Sequence, residues 1–424
     1  MKLDTVTPAP PTIDPATDPA VQRHILRVLV ASQILSGAGL AAGITVGALL
    51  AKDMLGSSAL AGLPSALFTA GSALAAIVVS RISAARGRRP GLAAGYAAGA
   101  VGSVGVIAAA ALDSPALLFL ALFVYGAGTA TNLQARYAGA DLAAPGHRAR
   151  AISTVLVATT VGGVLGPNLA APTGALAHAL HLPRLAGPFL LAGLAYAAAA
   201  LVLGTRLRPD PLLLARAAAA PTAETAADHP AADPQAAART RNRVLLGAQV
   251  MVVTQLVMVA VMTMTPVHMH DAGRSTTASG LVISLHVAAM YLPSPLTGRL
   301  VDRYGPLAVG AAAGLTLLVA GLIAAVVPGG SVPLVSLALV LLGLGWNFGL
   351  VSGTAILTEA VPLATRAKTQ GGVDVAIAAS GATGGLASGT VVDLAGYPVL
   401  AVGGGLLALL ILPSLASAAT RSRR

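Results

Sequence analysis

Two donor pairs stand one helical turn apart in this chain, Met258 with Met262 and His286 with Met290. Residues four apart in a helix share a face, so each pair can present two donors to one ligand. The surrounding stretch, Met251 to Met290, holds six of the eight methionines together with His268, His270 and His286. Thioether sulfur selects Cu(I) and imidazole binds copper in either oxidation state. The hard oxygen ligands that Mg²⁺ or Ca²⁺ would require are nearly absent from the stretch. The chain has no cysteine, so thiolate nucleophiles, disulfides and zinc–thiolate sites are excluded. A packing role stands beside the ligand role for the methionines, because Met fills gaps in apolar helices. A histidine in the middle of an apolar segment is costly there and points to function.

The elements that would position these residues are membrane spans. Apolar residues make up 56% of the 424 residues and charged ones 10%, against roughly 25% charged in an ordinary soluble domain. Apolar runs of about 20 residues, enough to cross a hydrocarbon core, recur along nearly the whole chain. Twelve are expected, near 25–51, 59–80, 91–112, 116–139, 151–180, 187–205, 243–265, 277–300, 306–327, 333–358, 370–395 and 397–418. With a cytoplasmic N-terminus, the outward segments hold only Lys52, Arg184 and Arg274 of the 26 lysines and arginines. That bias places both termini in the cytoplasm, in a multi-pass protein of the cytoplasmic membrane. The net charge of +11 is therefore topological, and no nucleic-acid partner is needed to explain it.

The expected organisation is a disordered cytoplasmic tail over residues 1–22, a six-helix bundle over 23–205, a cytoplasmic linker over 206–242 and a second six-helix bundle over 243–424. The tail, rich in Pro, Thr and Asp, lacks the apolar core of a signal peptide. The linker mixes Ala, Pro and acids without an apolar period. Proline at 167, 266, 293 and 295 predicts kinks in spans five, seven and eight. On these spans Met262 and Met258 lie roughly 5 and 11 Å below the outer surface, and His286 and Met290 roughly 14 and 20 Å. His268, Met269 and His270 fall in the outer loop above them.

The halves repeat at an offset of about 218 residues. Gly298-Arg299-Leu300-Val301-Asp302-Arg303-Tyr304-Gly305 aligns with Ser80-Arg81-Ile82-Ser83-Ala84-Ala85-Arg86-Gly87, and one residue of slip matches Gly126, Gly128 and Pro145 to Gly343, Gly345 and Pro362. The later copy resembles the cytoplasmic G-x-x-x-D-R-x-G signature of the major facilitator superfamily. The earlier copy keeps Gly87, Arg88 and Arg89 but has Ala84 and Ala85 where the signature has Asp and Arg. The resemblance implies an all-α membrane protein of twelve helices in two pseudo-symmetric bundles, with substrate bound between them near the midplane. It implies gating by Gly298, Asp302, Arg303, Gly305, Arg88 and Arg89. An Asp at a helix end can hold the inner face shut by pairing with Arg or with a neighbouring helix N-terminus.

Met258-Val-Ala-Val-Met262 with Leu285-His286-Val-Ala-Ala-Met290-Tyr291-Leu292-Pro293 is similar to the CcoA-type copper importers, a grouping that also includes riboflavin transporters. Asn132-Leu133-Gln134-Ala135-Arg136-Tyr137 resembles the same branch. This likeness implies secondary import of copper by alternating access, with Met258, Met262, His286 and Met290 as transient metal ligands. Copper is then a transported substrate, and no permanently bound cofactor is expected. The alternatives are import of riboflavin or another small organic solute, for which Asn132, Gln134, Trp346 and Asn347 would matter more, and efflux of a drug or metabolite. Asn132 and Asn347 are substrate-binding candidates, with interhelical hydrogen bonding as the competing role. Arg136 is read as snorkelling to the inner interface. Asp374 and Glu359 are the coupling candidates, with pairing to Arg366 and Lys368 as their structural alternative. No Walker loop, G-x-S-x-G elbow or H-E-x-x-H motif is present, so no enzyme is expected. The expected partners are the bilayer and a small-molecule or metal-ion substrate, bound by a monomer.

Overall fold

A computed structural model describes residues 18–55, 63–220 and 234–422. The described residues are helical almost throughout, and ten of their helical stretches are long and apolar enough to cross a membrane. The first half runs through α1 (Pro19–Leu55), α2 (Leu63–Arg86), α3 (Arg88–Ala111), α4 (Pro115–Ala140), α5 (Arg148–Asn168), α6 (Ala170–Ala179) and α7 (Gly187–Arg206). A short helix, α8 (Pro211–Ala218), follows. The second half holds α9 (Pro234–Asp271), α10 (Thr276–Tyr291), α11 (Ser294–Tyr304), α12 (Pro306–Val326), α13 (Val332–Ala360), α14 (Arg366–Ala395), α15 (Tyr397–Ala408) and α16 (Ile411–Ser422).

Each half packs around its own apolar interior. Leu29, Leu92, Tyr96, Leu122, Phe189 and Tyr196 are buried in the first. Val257, Leu317, Leu339, Leu350 and Ala401 are buried in the second, whose apolar cluster continues into Tyr137, Ala149, Ile152 and Leu156 of the first. Those residues lie toward the ends of α4 and α5 nearest the basic turns, so the bundles meet there. The broadest contacts between bundles are α2 with α14 and α5 with α11. Both depend on glycine. A Cβ on Gly371 would lie 2.1 Å from Ser80 Oγ, and one on Gly298 2.6 Å from Ser153 Oγ and 2.8 Å from the Ala149 carbonyl. Two backbones approach closely only where one side chain is missing.

Several expected boundaries shift. Span five divides into α5 and α6, span twelve into α15 and α16, and span eight into α10 and α11 at Pro293, which lacks the N–H a continuous helix would use. Pro266, in contrast, lies inside α9 without ending it. Of the 1–22 tail, residues 1–17 lie outside the described residues. Asp18 Oδ1 accepts from the Ala20 N–H at 2.7 Å, and helix begins at Pro19. The 206–242 segment holds α8 and the first turns of α9, while residues 221–233 lie outside the described ones. Asp210 caps α8, accepting from the Leu212 and Leu213 N–H groups, and Pro211 occupies its first position.

Candidate functional site

Of the expected metal ligands, His286 and Met290 of α10 contact α13, while Met258 and Met262 lie on α9. His286 is fully buried, and its Nδ1 donates to the Leu339 carbonyl at 2.7 Å, while Nε2 has no hydrogen-bond partner. Because a carbonyl can only accept, that bond places the proton of a neutral ring on Nδ1 and leaves a lone pair on Nε2. Met258 and Met290 are buried in the apolar cluster of the second bundle, and Met262 packs against it. Asn347 donates to the Met290 carbonyl and to Ser294 Oγ, each at 2.7 Å, and accepts from Thr297 at 2.5 Å. Asn347 therefore braces the break between α10 and α11. Asn132 is likewise engaged within its bundle, donating to Gln33 Oε1 and Ser36 Oγ in a network that includes Tyr96.

The His268, Met269 and His270 group is the last turn of α9 rather than a loop. Met269 is fully buried, and the His268 ring stacks on Tyr397 with centroids 4.3 Å apart. Only His270 of the three is exposed, beside Arg274 in an open groove of about 540 Å³ between α9 and α10.

The polar groups that join the bundles lie elsewhere, and their centre is Arg136. Arg136 is fully buried, so it does not snorkel. Its Nη2 pairs with Asp374 Oδ1 of α14 at 2.8 Å, its Nε donates to Thr354 of α13 at 3.1 Å, and the Leu133 carbonyl accepts from Nη1. Tyr137 completes the group: its hydroxyl donates to Asp374 Oδ1 at 3.0 Å, and its ring faces the Arg136 guanidinium at 4.2 Å. Asp374 Oδ2 is buried with no partner. Charges this far from water persist only when paired, and removing one partner of such a pair costs about 3–5 kcal/mol. The second bundle also carries an aromatic and amide shelf built from α9, α10 and α13. Trp346 Nε1 donates to Gln255 Oε1 at 2.7 Å, and Tyr291 meets the Trp346 ring edge to face with centroids 5.6 Å apart. Tyr291 is within electrostatic reach of Arg136 across the bundle boundary.

Toward the basic end a second set closes the interface. Arg88 Nε pairs with Asp141 at 2.8 Å and its Nη2 donates to Gln370 of α14 at 2.6 Å, while Arg366 lies 3.6 Å from Asp141. Asp302 accepts from the Ala149 and Arg150 N–H groups at the start of α5, both at 3.2 Å. A carboxylate suits the positive end of a helix dipole. Arg303 lies over the Tyr304 ring, and Gly305 turns the chain at φ 84°, as Gly87 does at 94°. The Arg89 N–H donates to Asp210 at 2.7 Å. Glu359 pairs with Arg243 at 3.2 Å on a partly exposed surface. Neither coupling candidate thus pairs with Arg366 or Lys368, the alternative considered from sequence.

Gln370 and the partnership of Arg136 with Asp374 are not legible in the sequence, and Tyr137 and Asp141 stand there only within a family-like segment, without a role. One signal was present: a cation and a carboxylate each placed within separate spans are expected to find one another.

Two helical bundles joined at one end by buried charge and closely packed glycines define a membrane transporter that works by moving its halves relative to each other. The Major Facilitator Superfamily model matches residues 29–275 and 245–423, and the chain belongs to that family. It is 54% identical over 403 residues to the uncharacterized MFS-type transporter YdeG of Bacillus subtilis (strain 168), covering 94% of this chain and 93% of that one. It is 30% identical over 387 residues to the riboflavin transporter RfnT of Brucella anthropi, covering 91% and 93%. Among solved structures, the human organic anion transporter MFSD10 superposes with a TM-score of 0.74 at 18% identity, covering 93% of this chain and 99% of that one. The proton:xylose symporter XylE gives 0.73 at 15%, covering 92% and 94%.

Proposed function

We propose that this transporter imports a small organic solute with a flat aromatic ring, of the riboflavin kind, and that Arg136 and Asp374 couple its passage to a proton. The observation that carries the reading is the shelf formed by Trp346, Tyr291 and Gln255, whose Tyr291 lies within electrostatic reach of Arg136. An indole and a phenol offer stacking faces, while the amide and the guanidinium offer hydrogen bonds to ring carbonyls. The likeness to a riboflavin transporter over nearly the whole chain supports the same substrate class. The unpartnered Asp374 Oδ2 is the position where a proton would be taken up. A proton there neutralises the carboxylate, weakens its hold on Arg136, and lets the bundles part at that level.

A specific observation also favours copper. His286 presents Nε2 unpartnered and in the tautomer a metal needs, oriented by the Leu339 carbonyl as ligating histidines commonly are. On this second reading Met258, Met262 and Met290 supply the thioethers.

Trp346 is the sole tryptophan, so this chain's fluorescence under tryptophan-selective excitation reports on the shelf. The purified protein in nanodiscs is titrated with riboflavin and, separately, with Cu(I) under reducing conditions. The organic reading expects saturable quenching by riboflavin that is weakened at least tenfold in Arg136→Ala. Saturable binding of Cu(I) that His286→Ala abolishes, with no response to riboflavin, would replace it with the copper reading.

A further inference from the structure

The first-half signature lacks its Asp and its Arg, with Ala84 and Ala85 in their places, yet the bundles meet at that corner as closely as at the other. The intact copy explains its own corner: Asp302 holds the N-terminal N–H groups of α5. By the internal repeat, the degenerate copy faces the start of α14, where no carboxylate of α2 is available. What lies there is Arg216 of α8. Its Nη1 donates to the Ala84 carbonyl of α2 at 2.8 Å, its Nε to the Leu363 carbonyl at 3.0 Å and its Nη2 to the Ala364 carbonyl at 3.1 Å. One guanidinium therefore ties the end of α2 in the first bundle to the segment that leads into α14 in the second.

We propose that Arg216 is a positioning residue of the transport cycle: the segment between the bundles supplies the latch that the first-half signature has lost. The chemistry is inverted relative to the intact corner, with a cation on carbonyl groups in place of a carboxylate on N–H groups. Planar guanidinium suits the task, because its donors diverge in a fixed plane and reach three acceptors at once. The arm is itself fixed to the first bundle. Asp210 binds the Arg89 N–H at the start of α3 while it caps α8, and Pro211, Leu212 and Ala215 are buried. When the bundles part at the basic end, α8 stays with the first bundle and Arg216 releases Leu363 and Ala364. Bonds to Leu363 and Ala364 exist only in the state closed at that end, so Arg216 weights the balance between states without touching substrate.

The absence of native cysteine makes the test direct. Ser80 is 3% exposed because α14 covers it, whereas Ser103 is fully buried within the first bundle. Ser80→Cys and Ser103→Cys are introduced singly, and their maleimide alkylation rates are measured in full-length protein in nanodiscs, with and without Arg216→Ala or Arg216→Lys. The expected result is at least fivefold faster alkylation at position 80 with Arg216→Ala, an intermediate rate with Arg216→Lys, and no change at position 103. An unchanged rate at position 80 would overturn the proposal. So would equal acceleration at both positions, which would mean that the fold had loosened rather than the latch opened.

Discussion

At the residue scale, the proposed coupling rests on the buried pair Arg136 and Asp374. Asp374→Asn keeps the shape of the side chain but removes its charge, leaving the Arg136 guanidinium buried without a counter-ion. Transport driven by a proton gradient is expected to fall to background in this variant, while exchange of labelled for unlabelled substrate across the membrane continues. Loss of both activities together would show that Asp374 serves folding or substrate binding instead. His286→Ala separates the two substrate readings at the same scale. The organic reading expects riboflavin uptake within about threefold of wild type, because the His286 ring is engaged with the Leu339 carbonyl and packs beside Gly343. A cavity left by the lost ring lowers stability by an amount typical of core truncation, about 2–4 kcal/mol, so membrane abundance is measured alongside.

At the scale of elements, the contacts of α2 with α14 and of α5 with α11 set how tightly the basic end can close. Gly371→Val places methyl groups where Ser80 now stands, an overpacking that costs about 1–3 kcal/mol in the closed state. The initial rate of uptake is expected to fall roughly tenfold, since each 1.4 kcal/mol is a factor of ten. Gly372→Ala is the matched control, because nothing lies within 4 Å of its added Cβ, and it should transport as wild type does. Similar losses in both would remove the steric argument. The elements themselves were largely readable in the sequence, since long apolar runs and their basic flanks follow from the cost of burying charge in hydrocarbon. The interruptions were less so. Pro293 ends a helix while Pro266 does not; Pro295, two residues after Pro293, occupies the first turn of α11, whereas Pro266 stands alone inside α9. Helix α8 carried a visible start in Asp210-Pro211, but its alanines and prolines blended with a segment that has no apolar period.

At the scale of the whole molecule, two unequal copies of one bundle have divided the work. The second half keeps the signature carboxylate Asp302, bound to the start of α5, and carries the aromatic shelf. The first contributes Arg136, and its own gate position is served from α8. The internal repeat exposed the fold and the degenerate signature, because both are matters of order along the chain. The central ion pair stayed hidden, because Arg136 and Asp374 are separated by more than half the sequence and nothing local marks them as partners. Likewise the spacing of Met258, Met262, His286 and Met290 was legible, but spacing alone did not reveal that three of the four are buried.

Proton-coupled carriage of an aromatic organic solute is open to direct measurement. Proteoliposomes holding the purified protein, loaded at neutral pH and diluted into acidic medium, test it with labelled riboflavin and labelled copper side by side. Saturable, gradient-dependent accumulation of riboflavin, abolished by a protonophore and by Asp374→Asn, is the expected result. Accumulation of copper but not riboflavin, lost in His286→Ala and indifferent to Asp374→Asn, would contradict it.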